Sequence, residues 1–269
     1  MFKYIYIIDM FFSIIINTHN QYSQIDRCIK SCLNQEYIED YEVIISDTSD
    51  KKTINKYSKK NVKIKIVESN SYSDFPCVDQ MLSIKNVLGY AKGKVICLLD
   101  GDDFFSPTKL NFLNENFSQD DMFLNQDNLV GFNEQTQKKF IINDKKGYKN
   151  NIIFNKLSNS WPKILGTSAI ATNKEILDNF FSIVNPSEWN FLAIDALLSI
   201  YFDSIKPITF MGDQLTYKSF HNLNLDSTYS NKFSKNYWTR RFQQHKFYQF
   251  IHKKKYVNID SLISKIFSN

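Results

Sequence analysis

The first 115 residues repeat one pattern, in which a short apolar run leads into a polar loop and then into an amphipathic segment. The apolar runs occupy residues 12–16, 41–46, 62–67 and 94–99. Between the first two runs, apolar side chains recur at helical spacing within QIDRCIKSCLN. Strands that alternate with helices usually form parallel sheets through right-handed crossovers. The pattern therefore predicts an α/β fold with a Rossmann-like, mostly parallel central sheet flanked by helices.

Polar loops directly follow three of the predicted strands. They read NTHN at residues 17–20, DTSD at 47–50 and DGDD at 100–103. In a parallel sheet such loops open at the same edge, and ligands bind beyond the carboxyl ends of the strands. We therefore expect these three loops to form one binding site.

The third loop concentrates three carboxylates, Asp100, Asp102 and Asp103, around Gly101. Neighbouring carboxylates raise one another's pKa unless a cation compensates their charge. Mn²⁺ and Mg²⁺ suit oxygen ligands, and Mg²⁺ usually takes only one or two protein carboxylates together with substrate phosphates. The loop therefore predicts a divalent metal beside a nucleoside diphosphate. The alternative is a solvated acidic turn whose charges favour a helix beginning at Pro107.

Beyond about residue 117 the alternation weakens, and short segments such as MFLNQDNLVGFN predict a smaller antiparallel region. We expect one domain over residues 1–228, with a first part at 11–117 and a second part at 118–228. Residues 229–269 are expected to form a basic and aromatic helical extension.

The overall composition excludes some classes of protein. A net charge of +5, with basic residues clustered near the C-terminus, is not typical of a nucleic-acid-binding protein. Four cysteines in 269 residues fit a reducing cytoplasm. Asp9 interrupts the apolar N-terminus, so neither part approaches the roughly 20 residues of a membrane span. We therefore expect a cytoplasmic location.

Three segments together resemble the family 2 glycosyltransferases, which have the GT-A fold. FSIIINTHNQYSQIDRCIKSCLNQ is similar to the family's opening strand, loop and helix, and EVIISDTSDKKT is similar to its second strand and acidic loop. IKNVLGYAKGKVICLLDGDDFFSPTKL resembles its Asp-x-Asp-Asp segment. The resemblance covers residues 11–110 and implies a nucleotide-diphosphate sugar as donor and Mn²⁺ or Mg²⁺ as cofactor. It also implies that residues 1–228 are the catalytic domain, with a donor-binding half at 11–117 and an acceptor-binding half at 118–228.

The resemblance also implies roles for single residues. Seven residues would contact the nucleotide sugar: Thr18, Asn20, Asp47, Lys85, Asp100, Gly101 and Asp102. Asp102 would also bind the metal, with Asp100 as a second ligand, and Asp47 would contact the base. Asn17 and His19 replace the proline and tyrosine usual in the family, which bears on the choice of nucleotide more than on the fold.

An inverting transfer needs a carboxylate that takes the proton of the acceptor hydroxyl. SEWNFLAIDALLSIYF resembles a late helix of the family and assigns this role to Asp195, with Glu188, about two turns earlier, as the second candidate. On local sequence alone, an aspartate in such a helix is more often a surface acid on the polar face.

Residues 217–224, YKSFHNLN, resemble a further segment in which His221 would complete the metal shell. An exposed loop histidine is the simpler interpretation. The acceptor side of the site would include Thr167, Ser168, Trp189 and Lys218. Trp189 is equally typical of a core residue.

The segment YWTRRFQQHKFYQFIHKKKY combines aromatic and basic residues on a predicted helix. Such a helix either lies on an anionic bilayer or packs its aromatic side chains on the catalytic domain, and the sequence leaves both open.

The function predicted from these features is metal-dependent, inverting transfer of one sugar. The donor is a nucleotide-diphosphate sugar, with UDP favoured, and the acceptor is a hydroxyl of a glycan or a lipid-linked glycan. The product would belong to surface polysaccharide or lipooligosaccharide synthesis, with peripheral contact to the inner membrane. An inactive binding module and a metal-dependent phosphatase or nucleotidyltransferase are the alternatives, and a homo-oligomer is left open.

Overall fold

The structure is a computed structural model that describes residues 12–37, 39–51, 63–117, 122–142, 164–221, 231–253 and 258–268. Its strands are β1 (Phe12–Thr18), β2 (Tyr41–Asp47), β3 (Ile64–Glu68), β4 (Val95–Asp100), β5 (Phe104–Phe105), β6 (Leu124–Gln126), β7 (Leu129–Asn133), β8 (Lys138–Ile141), β9 (Ile170–Asn173), β10 (Thr209–Phe210) and β11 (Thr216–Phe220). Its α-helices are α1 (Ile25–Leu33), α2 (Pro76–Leu88), α3 (Lys109–Asn116), α4 (Lys174–Ile183), α5 (Ile194–Asp203), α6 (Lys235–His252) and α7 (Ile259–Ser268).

The larger sheet has the strand order β10-β6-β9-β4-β1-β2-β3. The strands β4, β1, β2 and β3 are parallel, whereas β9 runs antiparallel to both of its neighbours. Strand β1 is apolar over Ile14–Ile16 and buried on both faces, as expected for a strand between two helical layers. The predicted α/β fold with a mostly parallel sheet flanked by helices is confirmed.

The smaller sheet has the strand order β5-β11-β7-β8. The pairs β5–β11 and β7–β8 are antiparallel as predicted, but β7 and β11 are parallel. This difference follows from connectivity, because the chain between these two strands is long enough to return to the same end of the sheet.

A buried ion pair lies beneath this part of the fold. The Lys109 ammonium at the start of α3 donates to the Asp127 carboxylate at 2.6 Å, to Thr216 Oγ1 at 2.8 Å and to the Ser168 carbonyl at 3.2 Å. The amine thus ties α3 to β11 and to the short 3₁₀ turn Thr167–Ala169. Removing one partner of such a buried pair leaves an uncompensated charge, so the contact fixes where these elements meet.

The C-terminal helix α6 packs on the catalytic domain. Phe247 is fully buried, and its ring meets Trp189 edge to face with 4.8 Å between centroids. The sequence left open whether the aromatic side chains of α6 pack on the protein or lie on a bilayer. This contact favours packing on the protein. Among the helices within the described ranges, none is long and apolar enough to cross a membrane.

Candidate active site

A cleft of about 580 Å³ opens at the carboxyl ends of the parallel strands. Its lining includes Thr18 at the end of β1, Thr48 after β2 and Asp100 at the end of β4. Backbone hydrogen bonds hold the three loops together: Thr48 N–H donates to the Thr18 carbonyl at 3.0 Å, and Gly101 N–H donates to the Asn17 carbonyl at 2.9 Å. The predicted meeting of the three polar loops is therefore observed.

Gly101 allows the DGDD loop to lie directly against Thr18 and Gln21, at the end of β1 and in the loop after it. A Cβ atom at this position would lie 2.5 Å from Gln21 Oε1 and 2.7 Å from Thr18 Cβ. Both distances are far below van der Waals contact, so a side chain here would separate the DGDD loop from the β1 loop. Gly101 acts through the packing of the backbone.

Asp100 is the first of the three acids and lines the cleft. Its Oδ1 accepts hydrogen bonds from Asn17 Nδ2 at 3.0 Å and from Gln80 Nε2 at 2.8 Å. Burial, followed by the nearby charge of Asp102, raises the pKa of Asp100 to about 7, against the opposing effect of the two amide donors. A cation in the cleft would lower this pKa again and favour the carboxylate.

Asp102 also lines the cleft, and its Oδ2 lies 2.9 Å from His221 Nε2. This hydrogen bond is the main cause that raises the pKa of His221. The backbone carbonyl of Asp102 accepts from the Ser219 hydroxyl and from Arg27 Nη2, which fixes the loop. The prediction that His221 lies beside the acidic loop agrees with this geometry.

The donor set formed by Asp100, Asp102 and His221 is chemically suited to Mn²⁺ or Mg²⁺, because carboxylate oxygens and an imidazole nitrogen are ligands of such ions. Within the described part of the chain, no group of three or more His, Cys, Asp and Glu side chains is arranged to hold a metal ion by itself. The remaining ligands would therefore have to come from the phosphates of a substrate.

Asp103 has a different environment from the other two acids. Its carboxylate is buried, accepts from Ser168 Oγ at 2.6 Å, and accepts from Ser219 N–H at 2.8 Å. Burial, together with the charges of Asp102 and Asp100, raises the pKa of Asp103 well above its ordinary value. The loop is therefore not the solvated acidic turn that was the alternative interpretation.

Ser168 requires a correction. It was expected on the acceptor side, but it is buried, and its Oγ donates to Asp103 and accepts from Asp100 N–H at 3.0 Å. Both hydrogen-bonding capacities of the hydroxyl thus serve the DGDD loop. Thr167 does line the cleft and accepts from Gln80 Nε2 at 3.2 Å.

The end of β1 and the loop after it contribute Thr18 and Asn20 to the cleft. Asn20 has a left-handed backbone with φ of 56°, and its side chain donates to Asp50 Oδ2 at 3.0 Å. Asp47, which was expected to contact the base, does not line the cleft. It is 1% exposed, and its carboxylate accepts from Ser49 N–H at 2.9 Å. Its side chain closes its own loop, and Thr48 faces the cleft instead.

Lys85 is a second correction on the donor side. Its side chain is exposed on α2 and lies 6.0 Å from the Phe181 ring centroid, outside the cleft lining. The cleft-facing side of α2 carries Asp79, Gln80 and Ser83. Lys85 lies roughly 140° around the helix from Gln80, since successive residues are about 100° apart.

Asp195 lines the cleft from the first turn of α5, half-buried, with its Oδ1 accepting from Ala196 N–H at 2.7 Å. Glu188 is exposed and outside the cleft lining, and it accepts from Asn185 Nδ2 at 3.3 Å. The helical spacing used to pair the two acids does not hold, because α5 begins at Ile194 and Glu188 lies in a separate 3₁₀ turn.

Trp189 is a core residue and does not line the cleft. Its indole ring packs on Phe247 and Phe250 of α6. Of the two interpretations of Trp189, acceptor-side residue or core residue, the structure therefore favours the core residue, which attaches the C-terminal helix.

Gln80 and Arg240 are among the cleft residues that were not identified from the sequence. Gln80 links α2 to both Asp100 and Thr167, and nothing in its local sequence distinguishes it from a surface glutamine. Arg240 reaches the cleft from α6, where it was treated only as part of a basic tail. Together with His19, Lys218 and His221 it gives the cleft four basic side chains in addition to its carboxylates.

A family model described as Glycosyl transferase family 2 matches residues 13–174, which is more than half of the chain. Comparison with curated protein sequences gave no significant match. The matched residues include all three polar loops but end before Asp195, Lys218 and His221.

Several solved structures have a similar fold. Crystal structures of S. aureus TarS residues 1–349, in complex with UDP and with UDP-GlcNAc, align with a TM-score of 0.60 at 16% and 15% identity, covering 96% of this chain and 70% of theirs. The full TarS chain is longer, and the alignment covers 42% of it.

The mannosyltransferase PcManGT from Pyrobaculum calidifontis, in complex with GDP-Man and Mn²⁺, aligns with a TM-score of 0.59 at 10% identity, covering 94% of this chain and 68% of that one. At such identities the likeness concerns the fold, whereas the match to the family model concerns the sequence. The chain belongs to glycosyl transferase family 2 and is a glycosyltransferase with the GT-A fold.

Proposed function

We propose that the protein is a metal-dependent, inverting glycosyltransferase that moves one sugar from a nucleotide-diphosphate sugar to a hydroxyl of a glycan or lipid-linked glycan. The observation that carries this proposal is that Asp100, Asp102 and His221 share a cleft with Asp195. One cleft thus brings together side chains that would serve as metal ligands and a separate carboxylate that would serve the acceptor hydroxyl.

On the donor side, Asp102 would hold the metal with His221 and Asp100. When bound, Mn²⁺ or Mg²⁺ would stabilise the negative charge of the departing diphosphate. Lys218 and Arg240 line the same cleft and supply donors suited to phosphate oxygens. UDP is favoured as the nucleotide, because two of the TarS structures contain UDP or UDP-GlcNAc, although the mannosyltransferase contains GDP-Man.

On the acceptor side, Asp195 would take the proton of the attacking hydroxyl. The acceptor oxygen then bonds to the anomeric carbon while the bond from that carbon to the diphosphate oxygen breaks on the opposite face, which inverts the configuration. Thr167, which accepts a hydrogen bond from Gln80 and lines the cleft, would orient a sugar hydroxyl. Such a reaction suits surface polysaccharide or lipooligosaccharide synthesis.

We also propose that the protein works in the cytoplasm and contacts the membrane peripherally. All four cysteines are in the described residues and are free thiols, which is consistent with a reducing compartment. Peripheral contact would bring the cleft to a lipid-linked acceptor.

Thermal-shift measurements with UDP-, GDP- and dTDP-sugars, each with and without Mn²⁺, test the donor assignment. We expect a Mn²⁺-dependent rise in melting temperature with a UDP-sugar, and slow hydrolysis of that donor without acceptor. No response to any of the three nucleotides would contradict the proposal, and binding without hydrolysis or transfer would favour the inactive module.

A further inference from the structure

Helix α7 is packed with its polar side inward. Ser264 is fully buried, Ser261 is nearly so, and the Asp260 carboxylate lies 2.7 Å from both Arg241 Nε and His245 Nε2 of α6. Hydrogen bonds and charge therefore hold α7 on α6 along this side.

The opposite side of α7 is apolar and exposed. Five residues spaced at i, i+3, i+4, i+7 and i+8 form an apolar stripe: Ile259, Leu262, Ile263, Ile266 and Phe267. Leu262 is 51% exposed and Ile266 is 68% exposed, whereas Phe267, although also exposed, stacks on Trp238 of α6 with 5.4 Å between ring centroids, so most of the stripe is open to solvent. An amphipathic helix normally buries such a face, which indicates that a further surface covers it.

The charge of the C-terminal region indicates which surface this is. Residues 229–269 contain nine Lys and Arg but one acidic residue, Asp260, which is engaged on the inner side of α7. Because the whole chain carries only +5, the remainder has a small net negative charge. Lys265 is exposed on α7 beside the stripe, where its alkyl chain can extend along an apolar surface.

We propose that the apolar stripe of α7 docks the protein on an anionic lipid surface. Its apolar side chains would enter the boundary between headgroups and acyl chains, while the basic residues of this region would meet the lipid charge. A second copy of the chain is disfavoured as the occupant, because it would bring two strongly basic regions together. The proposal does not depend on the proposed reaction.

Flotation of the full-length protein with vesicles tests this docking. The vesicles are phosphatidylcholine alone, or phosphatidylcholine mixed with phosphatidylglycerol. We expect the wild type to float with the anionic vesicles, less so at high salt, and much less with the neutral ones. Leu262→Gln/Ile266→Gln should lower the bound fraction roughly ten-fold or more, because two apolar side chains no longer enter the lipid.

The control is Ile183→Gln/Ile141→Gln, whose two side chains are 51% and 67% exposed and lie outside the C-terminal helices. This variant should float like the wild type, and both double variants should keep the wild-type melting temperature. If the stripe variant is destabilised, Ile259→Gln/Ile263→Gln serves as the second pair.

Three outcomes would overturn the proposal. The wild type fails to float, the stripe variants float as well as the wild type, or the wild type forms a dimer that only the stripe variants dissociate. Donor binding is measured separately, so a failure here would count against the proposed membrane contact but not against the proposed sugar transfer, and failure of donor binding would leave the docking result standing.

Discussion

Asp100, Asp102 and Asp103 are neighbours in sequence but differ in what their carboxylates contact. Asp103 is bonded inward to Ser168 and Ser219, whereas Asp102 meets His221 in the cleft. These partners come from distant parts of the chain. The motif alone therefore predicts a cluster of carboxylates but not which of them faces the cleft and which is hydrogen-bonded inward. Likewise, the sequence alone does not show that Asp195 and Glu188 lie in different elements. Asp195 lies in the first turn of α5, whereas Glu188 lies in the preceding 3₁₀ turn.

Asp195→Asn is expected to lower kcat by roughly 10²- to 10⁴-fold, the usual contribution of a general base. The KM for the donor should stay the same, because the proposed metal ligands are retained. Glu188→Gln is the matched control and should keep wild-type kinetics, since Glu188 is exposed and outside the cleft lining. Equal losses in both variants would refute the assignment.

Gln80→Leu is expected to reduce kcat/KM by roughly 10- to 100-fold, a range typical of residues that orient metal ligands. The change removes the amide that donates to both Asp100 Oδ1 and Thr167 Oγ1. Recovery of activity in Gln80→Glu is not expected, because a carboxylate cannot donate these bonds.

Lys85→Ala provides the comparison on the same helix. Steady-state kinetics should match the wild type, because Lys85 lies on the exposed side of α2. A rise in donor KM in this variant would restore the role that the family resemblance gave to Lys85.

At the scale of elements, sequence periodicity was sufficient to predict the helices and strands that are amphipathic or wholly buried. Strands β1, β2 and β4 and helices α1 and α2 lie close to the predicted segments. Sequence periodicity could not indicate β5 or β10, which are two residues long, nor the parallel pairing of β7 with β11 across a long connection. The side chains of Asp47, Lys85 and Ser168 lie outside the cleft lining, which the sequence could not indicate because hydrogen bonding and helix rotation are set by tertiary contacts.

Acid is expected to weaken the attachment of α7 to α6. Burial alone would raise the pKa of Asp260, but hydrogen bonds from His245 and Arg241 outweigh it and hold this pKa below its ordinary value. The carboxylate therefore contributes stability above the ordinary pKa of an aspartate, and this contribution is lost as the pH falls through the lowered value. The difference in melting temperature between wild type and Asp260→Asn should shrink from pH 6 to pH 3. A constant difference over that range would contradict this role.

At the scale of the whole molecule, the C-terminal extension is part of the site. Helix α6 attaches through Phe247 and Trp189 and brings Arg240 to the same cleft as Lys218. Removing residues after 230 would therefore expose core as well as delete a cleft residue. Point variants are better suited than truncation to separate catalysis from membrane docking.

Arg240→Gln is expected to raise the KM of a phosphate-bearing substrate by roughly 10- to 100-fold, corresponding to about 1.5–3 kcal/mol for a hydrogen bond to a charged group. Lys246→Gln, which changes an exposed cation on the same helix, should leave the KM unchanged. Measuring donor and acceptor KM separately identifies which substrate Arg240 contacts. Unchanged values for both would contradict the assignment.

The cleft takes its lining from Asn17 to Arg240, nearly the whole length of the chain. During synthesis the sheet and the acidic loop can form while the C-terminal helices are still within the ribosome, but the cleft cannot be complete until α6 has emerged and packed against Trp189. Full activity is therefore expected only after nearly all of these residues have been made, so an interrupted translation product would have a folded sheet without a complete cleft.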